Sequence, residues 1–386
     1  MLKRGVLLIG FLSTFSLSLA QHHEAAAETK PATETKVVSA EEAEKEQIKK
    51  ENKEFIDHHL LDAHSFDIMV EKKADGTEEH WGFPLPVIFY DEANGLHVFM
   101  SSKFRHGKEM KDAHGKKYNV VESKGANYAL YHEKIVKTDA SGAITLDDHG
   151  HVTNEKVLDL SITKSVLMIL CASLLMIVIF GSMARNYKKS PIPTGAGKLF
   201  EPLVIFIRDE IAIPNIGPKY HKYISYLLTI FFFILFLNVF GLLPFGINVT
   251  GNLAITAALA IFTFIITQFT ANRNYWQHIF WMPGLPFLMK LVMIPIELIG
   301  MIIKPFALLI RLFANMSAGH IVIMSLIAMI YYFQNVIAGV AFPFLTFVLY
   351  LLEILVAFLQ AYIFTMLSAV YFGMANEEHH HEEAHH

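Results

Sequence analysis

The chain has 386 residues, of which 53% are hydrophobic and 18% charged, with a formal net charge of −4 and a mean hydropathy of +0.38. This composition excludes an ordinary soluble domain and indicates several membrane spans with a polar part attached. The single cysteine, Cys171, excludes a disulfide within the chain and a cysteine-based metal cluster.

The amino-terminal part of the chain divides into three predicted segments. Residues 1–20 have the pattern of a secretory signal peptide, with two basic residues, a short apolar core and small residues at the end. A short first membrane helix is the alternative. Residues 21–52 are rich in Ala, Glu and Lys and predict a disordered charged tether. Residues 53–158 alternate apolar segments such as LPVIFYD and LHVFMSS with turn residues, which predicts a small β-rich domain outside the membrane.

Five apolar stretches within residues 159–376 predict an all-α polytopic membrane domain. The last two stretches exceed the length that a perpendicular span needs, so they are expected to form a long tilted hairpin. Ahead of the second stretch, the segment LFEPLVIFIRDEIAIPNIG mixes apolar and charged residues and predicts an amphipathic helix on the membrane surface. The predicted spans are residues 162–183, 224–243, 251–270, 285–331 and 337–373.

Basic residues indicate the orientation of these spans. Arg185, Lys219 and Arg273 fall on one side, whereas the loops at 244–250 and 331–336 carry no Lys or Arg. By the positive-inside rule, the carboxy terminus is expected to be cytoplasmic and the β-rich domain is expected outside the cytoplasm. A signal peptide gives the same orientation independently.

Histidines are frequent in the β-rich domain and in the predicted cytoplasmic tail, residues 377–386. Their irregular spacing does not match a metal-ligand motif, so no metal site and no cofactor is predicted, although metal binding stays open. A solvated periplasmic cap, or a contact with a neighbouring subunit, is the other interpretation of the domain. Its histidines are His80, His97, His106, His114, His132, His149 and His151.

Ionisable residues are rare in the last two predicted spans, and charge at bilayer depth is costly, so each is a functional candidate. At about 100° per residue, Glu297, Lys304, Arg311 and Asn315 share a stripe of about 80° on the fourth span. His320 points about 180° away from Arg311 on the same helix.

On the fifth span, Glu353 and Gln360 are seven residues apart and share a face. In an antiparallel hairpin with one turn near residue 336, Arg311 meets Gln360 and His320 meets Glu353. This arrangement puts proton-exchanging groups on either side of an arginine that does not release its proton. Packing or interhelical hydrogen bonding by His320, Glu353 and Gln360 is the structural alternative.

Two segments, LLIRLFANMSAGH (308–320) and LQAYIFTMLSAVYFGMANEEH (359–379), resemble the membrane-embedded a subunit of F-type ATP synthases. EFIDHHLLDAHSF and LFEPLVIFIRDEIAIPNIG are further family-like stretches, so the resemblance covers about residues 53–70 and 160–380. Residues of about 71–158 depart from compact family members as an insertion.

The resemblance implies a stator subunit that offers two offset proton half-channels to a rotating c ring. It implies that Arg311 is the essential arginine opposite the ring carboxylates, with Asn315 and Gln360 near it. His320 and Glu353 stand where many members have an acidic residue and a histidine, so the two are exchanged here, in the periplasmic half-channel. The cytoplasmic half-channel contains Glu297, with Lys304 on the same helix.

The implied partners are the c ring, the b-subunit peripheral stalk, the remaining synthase subunits and the lipid bilayer, with H⁺ as the transported ion and no nucleic acid. No Gly-rich phosphate loop is present, so the chain is expected to translocate protons without nucleotide chemistry of its own. Coupling to Na⁺ instead of H⁺ stays open. A stand-alone ion channel or secondary transporter with an Arg–Glu gate is the main alternative. An anchored periplasmic binding domain is another, but it leaves Arg311, His320 and Glu353 unexplained.

Overall fold

The computed structural model describes residues 61–376 except 73–77, 113–116, 148–151, 190–191, 193, 244–246, 282–285 and 334–335. The predicted signal peptide, charged tether and histidine-rich tail lie outside the described residues. Within the described ranges, a β-rich part is followed by a helical part.

The β-rich part has three antiparallel sheets, with strand orders β1-β2, β4-β3-β9 and β5-β6-β7-β8. Alternation of buried and more exposed residues determines their packing: in β3, Val87 and Phe89 are fully buried, whereas Ile88 between them is half-buried and Tyr90 is exposed. Lys124 (φ 52°) and Gly125 (φ 81°) form the two-residue turn between β6 and β7, which needs positive φ at both positions. The strands are β1 (Ser65–Lys72), β2 (Glu78–Pro84), β3 (Pro86–Asp91), β4 (Gly95–Met100), β5 (Lys108–Lys111), β6 (Lys117–Ser123), β7 (Ala126–Tyr131), β8 (Lys134–Lys137) and β9 (Leu158–Asp159), with a short helix α1 (Ser102–Arg105) after β4.

A buried polar cluster joins the β-rich part to the first long helix. Asp62 accepts hydrogen bonds from Thr163 Oγ1 at 2.9 Å and from the backbone N–H of Ser165 at 3.1 Å. His64 Nε2 lies 2.8 Å from Asp159 Oδ2, and its backbone N–H donates to Glu133 Oε2 at 3.1 Å. Burial alone lowers the pKa of His64, but the hydrogen bonds and charges of Asp159 and Glu133 outweigh burial and raise this pKa to about 9.

This cluster predicts a stability that depends on pH. Because the folded-state pKa of His64 is raised, its contribution is fully present below its unfolded pKa of about 6.5 and is lost as pH rises through about 9. We expect His64→Gln to lower the melting temperature of the β-rich part near neutral pH. Thermal unfolding followed against pH checks this: the gap between the two proteins closes above about pH 9, and a constant gap contradicts the assignment.

Five helices among the described residues are long and apolar enough to cross a membrane, and they coincide with the predicted spans to within a few residues. The segment LFEPLVIFIRDEIAIPNIG is helical, with a π-helical turn in its middle. A short helix at Arg273–Phe280, labelled α7 below, was not predicted. The long helices are α2 (Lys164–Tyr187), α5 (Ile224–Leu242), α6 (Leu253–Thr270), α8 (Phe287–Phe333) and α9 (Val336–Asn376); the shorter ones are α3 (Gly197–Phe206), the π-helical Ile207–Ala212, α4 (Ile213–Ile216), 3₁₀ turns at Gly217–Lys222 and Val249–Gly251, and α7 (Arg273–Phe280).

Helix α5 is the centre of the helical part. Its residues are apolar all round, which is typical of a buried helix, and Phe231, Phe232 and Leu237 are fully buried in it. The expected amphipathic helix packs on the same core through Ile207 and Ile211, which are also fully buried. Its position relative to a membrane surface stays a prediction.

Polar contacts between the helices gather at two levels. At one level, Asn248 Nδ2 donates to Met316 O at 3.1 Å, and Tyr350 OH donates to Leu242 O at 2.5 Å. At the other, Asn376 Nδ2 donates to Tyr223 OH at 2.7 Å. The first level therefore connects both α8 and α9 to the ends of α5 and of the α5–α6 connection, and the second connects the carboxy-terminal end of α9 to the start of α5.

Candidate functional site

Arg311 lies on the outward side of α8. Leu308 and Leu312 beside it are 2% and 1% exposed and pack into the core, whereas Arg311 and Asn315 are exposed. Within the described residues, the Arg311 guanidinium makes no hydrogen bond and no ion pair. It stands on an apolar surface that includes Ile310, which is 51% exposed. A permanent cation on an open apolar face is a costly arrangement for a single chain in lipid, so this face fits a partner that carries negative charge.

Glu353 and Gln360 lie on the inward side of α9. Their exposed fractions are 7% and 3%, and Ala357 between them is 1% exposed. The small side chain of Ala357 lets α5 approach closely, and Asn238 Nδ2 donates to Ala357 O at 3.0 Å. Because an α-helix has 3.6 residues per turn, these three residues share one face. The sequence predicted this shared face, and the helix has it.

A cavity of about 320 Å³ lies between α8 and α9, beside these residues. Its polar lining comes from Asn315, Glu353 and Gln360. A space of this size with several polar groups can hold a short chain of waters. The structure thus brings three predicted site residues to one cavity, whose other lining residues are Ala318, Gly319, Val322, Ile323, Leu349, Val356 and Leu359.

The Glu353 carboxylate lies against α8 at Gly319. A Cβ built on Gly319 would overlap this carboxylate, so only glycine allows the observed approach. Gly319 stands one residue before His320, the residue that the sequence predicted opposite Glu353. His320 is half-buried and is not among the residues lining the cavity. Glu353 therefore meets α8 within one residue of the predicted position.

Glu297 and Lys304 lie nearer the amino-terminal end of α8, away from this cavity. Both are half-buried. Lys304 Nζ is 5.9 Å from the ring centroid of Tyr371, whose hydroxyl donates to Lys304 O at 3.4 Å. Together with the Gly319–Glu353 contact, this contact means that α8 and α9 run in opposite directions; their tilt stays a prediction.

A second, much smaller cavity of about 10 Å³ adjoins Lys304, Gln268 and Tyr275. Gln268 Nε2 donates to Tyr275 OH at 3.4 Å, but among the described residues the buried Gln268 Oε1 has no hydrogen-bond partner. This is room for about one water. Gln268 was not predicted as a site residue, although an uncharged polar residue at the end of an apolar run was the available signal.

The described residues contain no group of three or more His, Cys, Asp or Glu side chains that could hold a metal ion. His97, one of the histidines of the insertion, is instead buried, with Nδ1 at 2.9 Å from Ser123 Oγ and its ring stacked on Phe89 at 4.7 Å. His106 and His132 belong to no such group among the described residues, and His114, His149 and His151 lie outside them.

The family model described as ATP synthase A chain matches residues 166–373, which include both cavities and all seven predicted site residues. The chain belongs to the ATP synthase A chain family. A second family model, described as a domain of unknown function (DUF8433), matches residues 55–160. The ATP synthase A chain match thus begins after the insertion predicted at about residues 71–158, and the second match covers that insertion.

Relatives with the name ATP synthase subunit a agree with this family. The chain is 48% identical to ATP synthase subunit a 2 of Chlorobaculum tepidum, over 56% of this chain and 64% of the relative, which is less than two thirds of that protein. It is 49% identical to ATP synthase subunit a of Chloroherpeton thalassium over 59% of this chain and 70% of the relative. It is 40% identical to ATP synthase subunit a of Chlorobium phaeobacteroides strain BS1 over 79% of this chain and 93% of the relative.

Proposed function

We propose that this chain is the stator subunit a of a rotary F-type ATP synthase in a bacterial inner membrane. In this role it offers protons two offset half-channels and presents Arg311 to the c ring. The observation that carries the proposal is a permanent cation on an open apolar face, next to a polar cavity that holds a buried carboxylate. Membership in the ATP synthase A chain family supports the assignment.

The cavity that holds Glu353 is proposed as the outer half-channel. Ser317 Oγ donates to Gly251 O at 3.3 Å, so this part of α8 lies beside the connection between α5 and α6. That connection carries no Lys or Arg. By the positive-inside rule, it faces the periplasm. A proton arriving there can pass through Glu353 and the cavity waters, with His320 next to this path.

The inner half-channel is proposed near Glu297 and Lys304. The nearby end of the bundle is bordered by Arg273 and by the basic turn Gly217–Lys222, as expected for a cytoplasmic side. Glu297 can accept a proton leaving a ring carboxylate. The small cavity beside Gln268 supplies a water position on the same side.

Arg311 separates the two proposed half-channels. It lies seven residues from Lys304 and eight from Gly319, or about 10–12 Å along the helix in each direction. A guanidinium stays charged at every accessible pH, so it repels protons and closes a direct passage. It also favours the ionised form of a ring carboxylate by Coulomb attraction.

Proton flow then requires rotation of the ring. A ring carboxylate takes a proton from the outer path and becomes neutral, which allows it to face lipid, where the ionised form is too costly. After nearly a full turn it releases the proton to the inner path beside Glu297. The membrane potential supplies about 2.3 kcal/mol per charge for each 100 mV.

The proposal predicts coupling between His320 and Glu353. We expect His320→Glu alone to impair proton-driven ATP synthesis, because two carboxyl groups at adjacent positions disfavour joint ionisation. Adding Glu353→His restores an opposite pair and should recover part of the activity. ATP synthesis in inverted vesicles from the three variants measures this.

Two strictly additive losses would mean that the two residues do not share one proton path. A further measurement tests the alternative of a stand-alone channel. If the proposal holds, vesicles that contain the purified chain without a ring should be impermeable to protons. Proton conductance by the chain alone would instead favour the channel alternative.

A further inference from the structure

The three-stranded sheet β4-β3-β9 is apolar on both of its faces. One face packs into the β-rich core through Val87 and Phe89. The other face exposes large apolar side chains, with Val98 62% and Leu158 61% exposed. In an antiparallel sheet with one solvent-exposed face, apolar and polar residues normally alternate along each strand. The exposed face of this sheet is apolar instead, so it is not a typical water-facing surface.

The register of the strands arranges the exposed face in three rows. Antiparallel pairs are Pro86 with Met100, Ile88 with Val98, and Tyr90 with both Leu96 and Leu158. The chain after β9 continues along β3, because Leu160 N–H donates to Ile88 O at 2.8 Å and Ile162 N–H donates to Pro86 O at 3.1 Å. All nine residues are apolar or aromatic: Met100, Pro86 and Ile162 in the first row, Val98, Ile88 and Leu160 in the second, and Leu96, Tyr90 and Leu158 in the third.

The first row adjoins the helical part of the protein. Leu85, which directly precedes this row, is 3% exposed and belongs to the same apolar cluster as Ala172 of the first long helix. Ile162 stands two residues before Lys164, where that helix begins. Beside this start of the helix, Val166 and Leu170 are also apolar and are 37% and 53% exposed.

We infer that this nine-residue face is a membrane-contact surface that lies against the lipid headgroup layer beside α2. Successive rows are two residues apart, about 7 Å along a strand. The headgroup layer is about 5–8 Å deep on each side of the hydrocarbon. The first two rows fit this layer, and the third row, about 14 Å from the first, continues the apolar surface to the water side of the layer, where the polar hydroxyl of Tyr90 can be hydrated.

Lipid is favoured over a protein partner because this face lies beside the start of a helix long and apolar enough to span a membrane, and because it has no charged side chain. The inference requires α2 to cross the membrane, but it does not depend on Arg311 or on either half-channel. If the proposed proton pathway were disproved, the membrane-contact surface would be unaffected. If the membrane-contact surface were disproved, the proton pathway would be unaffected.

Photo-crosslinking in the intact, membrane-embedded enzyme tests this surface. A benzoylphenylalanine probe at Val98 should form adducts with phospholipid, identified by mass spectrometry of the isolated chain. The matched control is the same probe at Glu109, an exposed position on β5, where we expect at least tenfold less lipid adduct. Across the three rows, lipid adduct should decrease from Met100 through Val98 to Leu96, because the third row lies farthest from the helix.

A protein adduct at Val98 would overturn the inference and identify the subunit that covers the face. The absence of any adduct at Val98, with a folded and assembled enzyme, would also overturn it. As a second measurement, Val98→Cys in a Cys171→Ser background should react with a membrane-impermeant maleimide at least tenfold more slowly than Glu109→Cys, in vesicles of phosphatidylethanolamine and phosphatidylglycerol. Equal rates would mean that water covers the sheet.

Discussion

Replacing Arg311 by alanine is expected to abolish proton-driven ATP synthesis while leaving ATP hydrolysis by the detached catalytic part intact. The physical reason is the loss of the fixed positive charge that faces the ring. At a separation of about 4 Å and an effective dielectric constant near 20, one such charge pair is worth about 4 kcal/mol. That is roughly a thousandfold change in the balance between a protonated and an ionised carboxyl group.

The side chain can be tested without large structural damage. Arg311 is exposed and makes no hydrogen bond or ion pair in the described part of the chain, so its truncation leaves no buried partner unsatisfied. Stability and assembly should therefore be close to native. Arg185→Ala is the matched control, because Arg185 is also an exposed arginine on a long apolar helix, and among the described residues its hydrogen bond goes to the backbone of that helix, at Gly181 O.

Inverted vesicles allow both ATP synthesis and ATP-driven proton pumping to be measured. Arg311→Ala should show no ATP synthesis, no ATP-driven proton pumping and a normal content of all subunits, whereas Arg185→Ala should behave as native. Normal synthesis in Arg311→Ala would exclude the proposed role of this residue. A loss that appears only together with loss of the chain from the membrane would indicate a folding effect instead.

The membrane helices were predictable from the sequence because their signal is local. From Ile224 to Ala271 no Asp, Glu, Lys or Arg interrupts the apolar pattern, and α5 and α6 occupy this stretch. The short helix α7 was missed because eight residues give little periodicity. The sequence predicted a β-rich region but not which strands pair. Strand β9 pairs with β3 across about seventy residues, and no local pattern encodes that register.

The parts of the site that depend on residue spacing along a helix were predictable from the sequence. The seven-residue interval between Glu353 and Gln360 gave their common face, and the assumption of one turn brought Glu353 to within one residue of its contact on α8. The sequence could not reveal that Gly319 makes this contact, because the contact depends on side-chain volume between two helices. The unpartnered Gln268 oxygen is equally invisible without coordinates.

The contact between Gly319 and Glu353 gives the second large expected effect. Gly319→Ala adds a Cβ that would overlap the Glu353 carboxylate, so this group must move away from α8. Displacement of a reacting group by about 1 Å can reduce a rate by about a hundredfold. We expect proton-driven ATP synthesis to fall by one to two orders of magnitude on this basis, with assembly unchanged.

The same helix offers a matched control. A Cβ built on Gly300 meets no atom within 4 Å, so Gly300→Ala makes the same chemical change without a clash. Both substitutions favour the helix itself by about 1 kcal/mol, because alanine has the higher helix propensity. A difference between the two variants in ATP synthesis therefore reports the Glu353 contact and not the stability of α8.

A shorter acid tests the cause of the loss. In the Gly319→Ala protein, Glu353→Asp withdraws the carboxylate by one methylene and makes room for the added methyl group. We expect partial recovery of ATP synthesis in this double variant, although Glu353→Asp alone should be impaired, since its carboxylate no longer reaches α8. If Gly319→Ala synthesised ATP as well as Gly300→Ala, Glu353 could not be the group that carries protons through the cavity between α8 and α9.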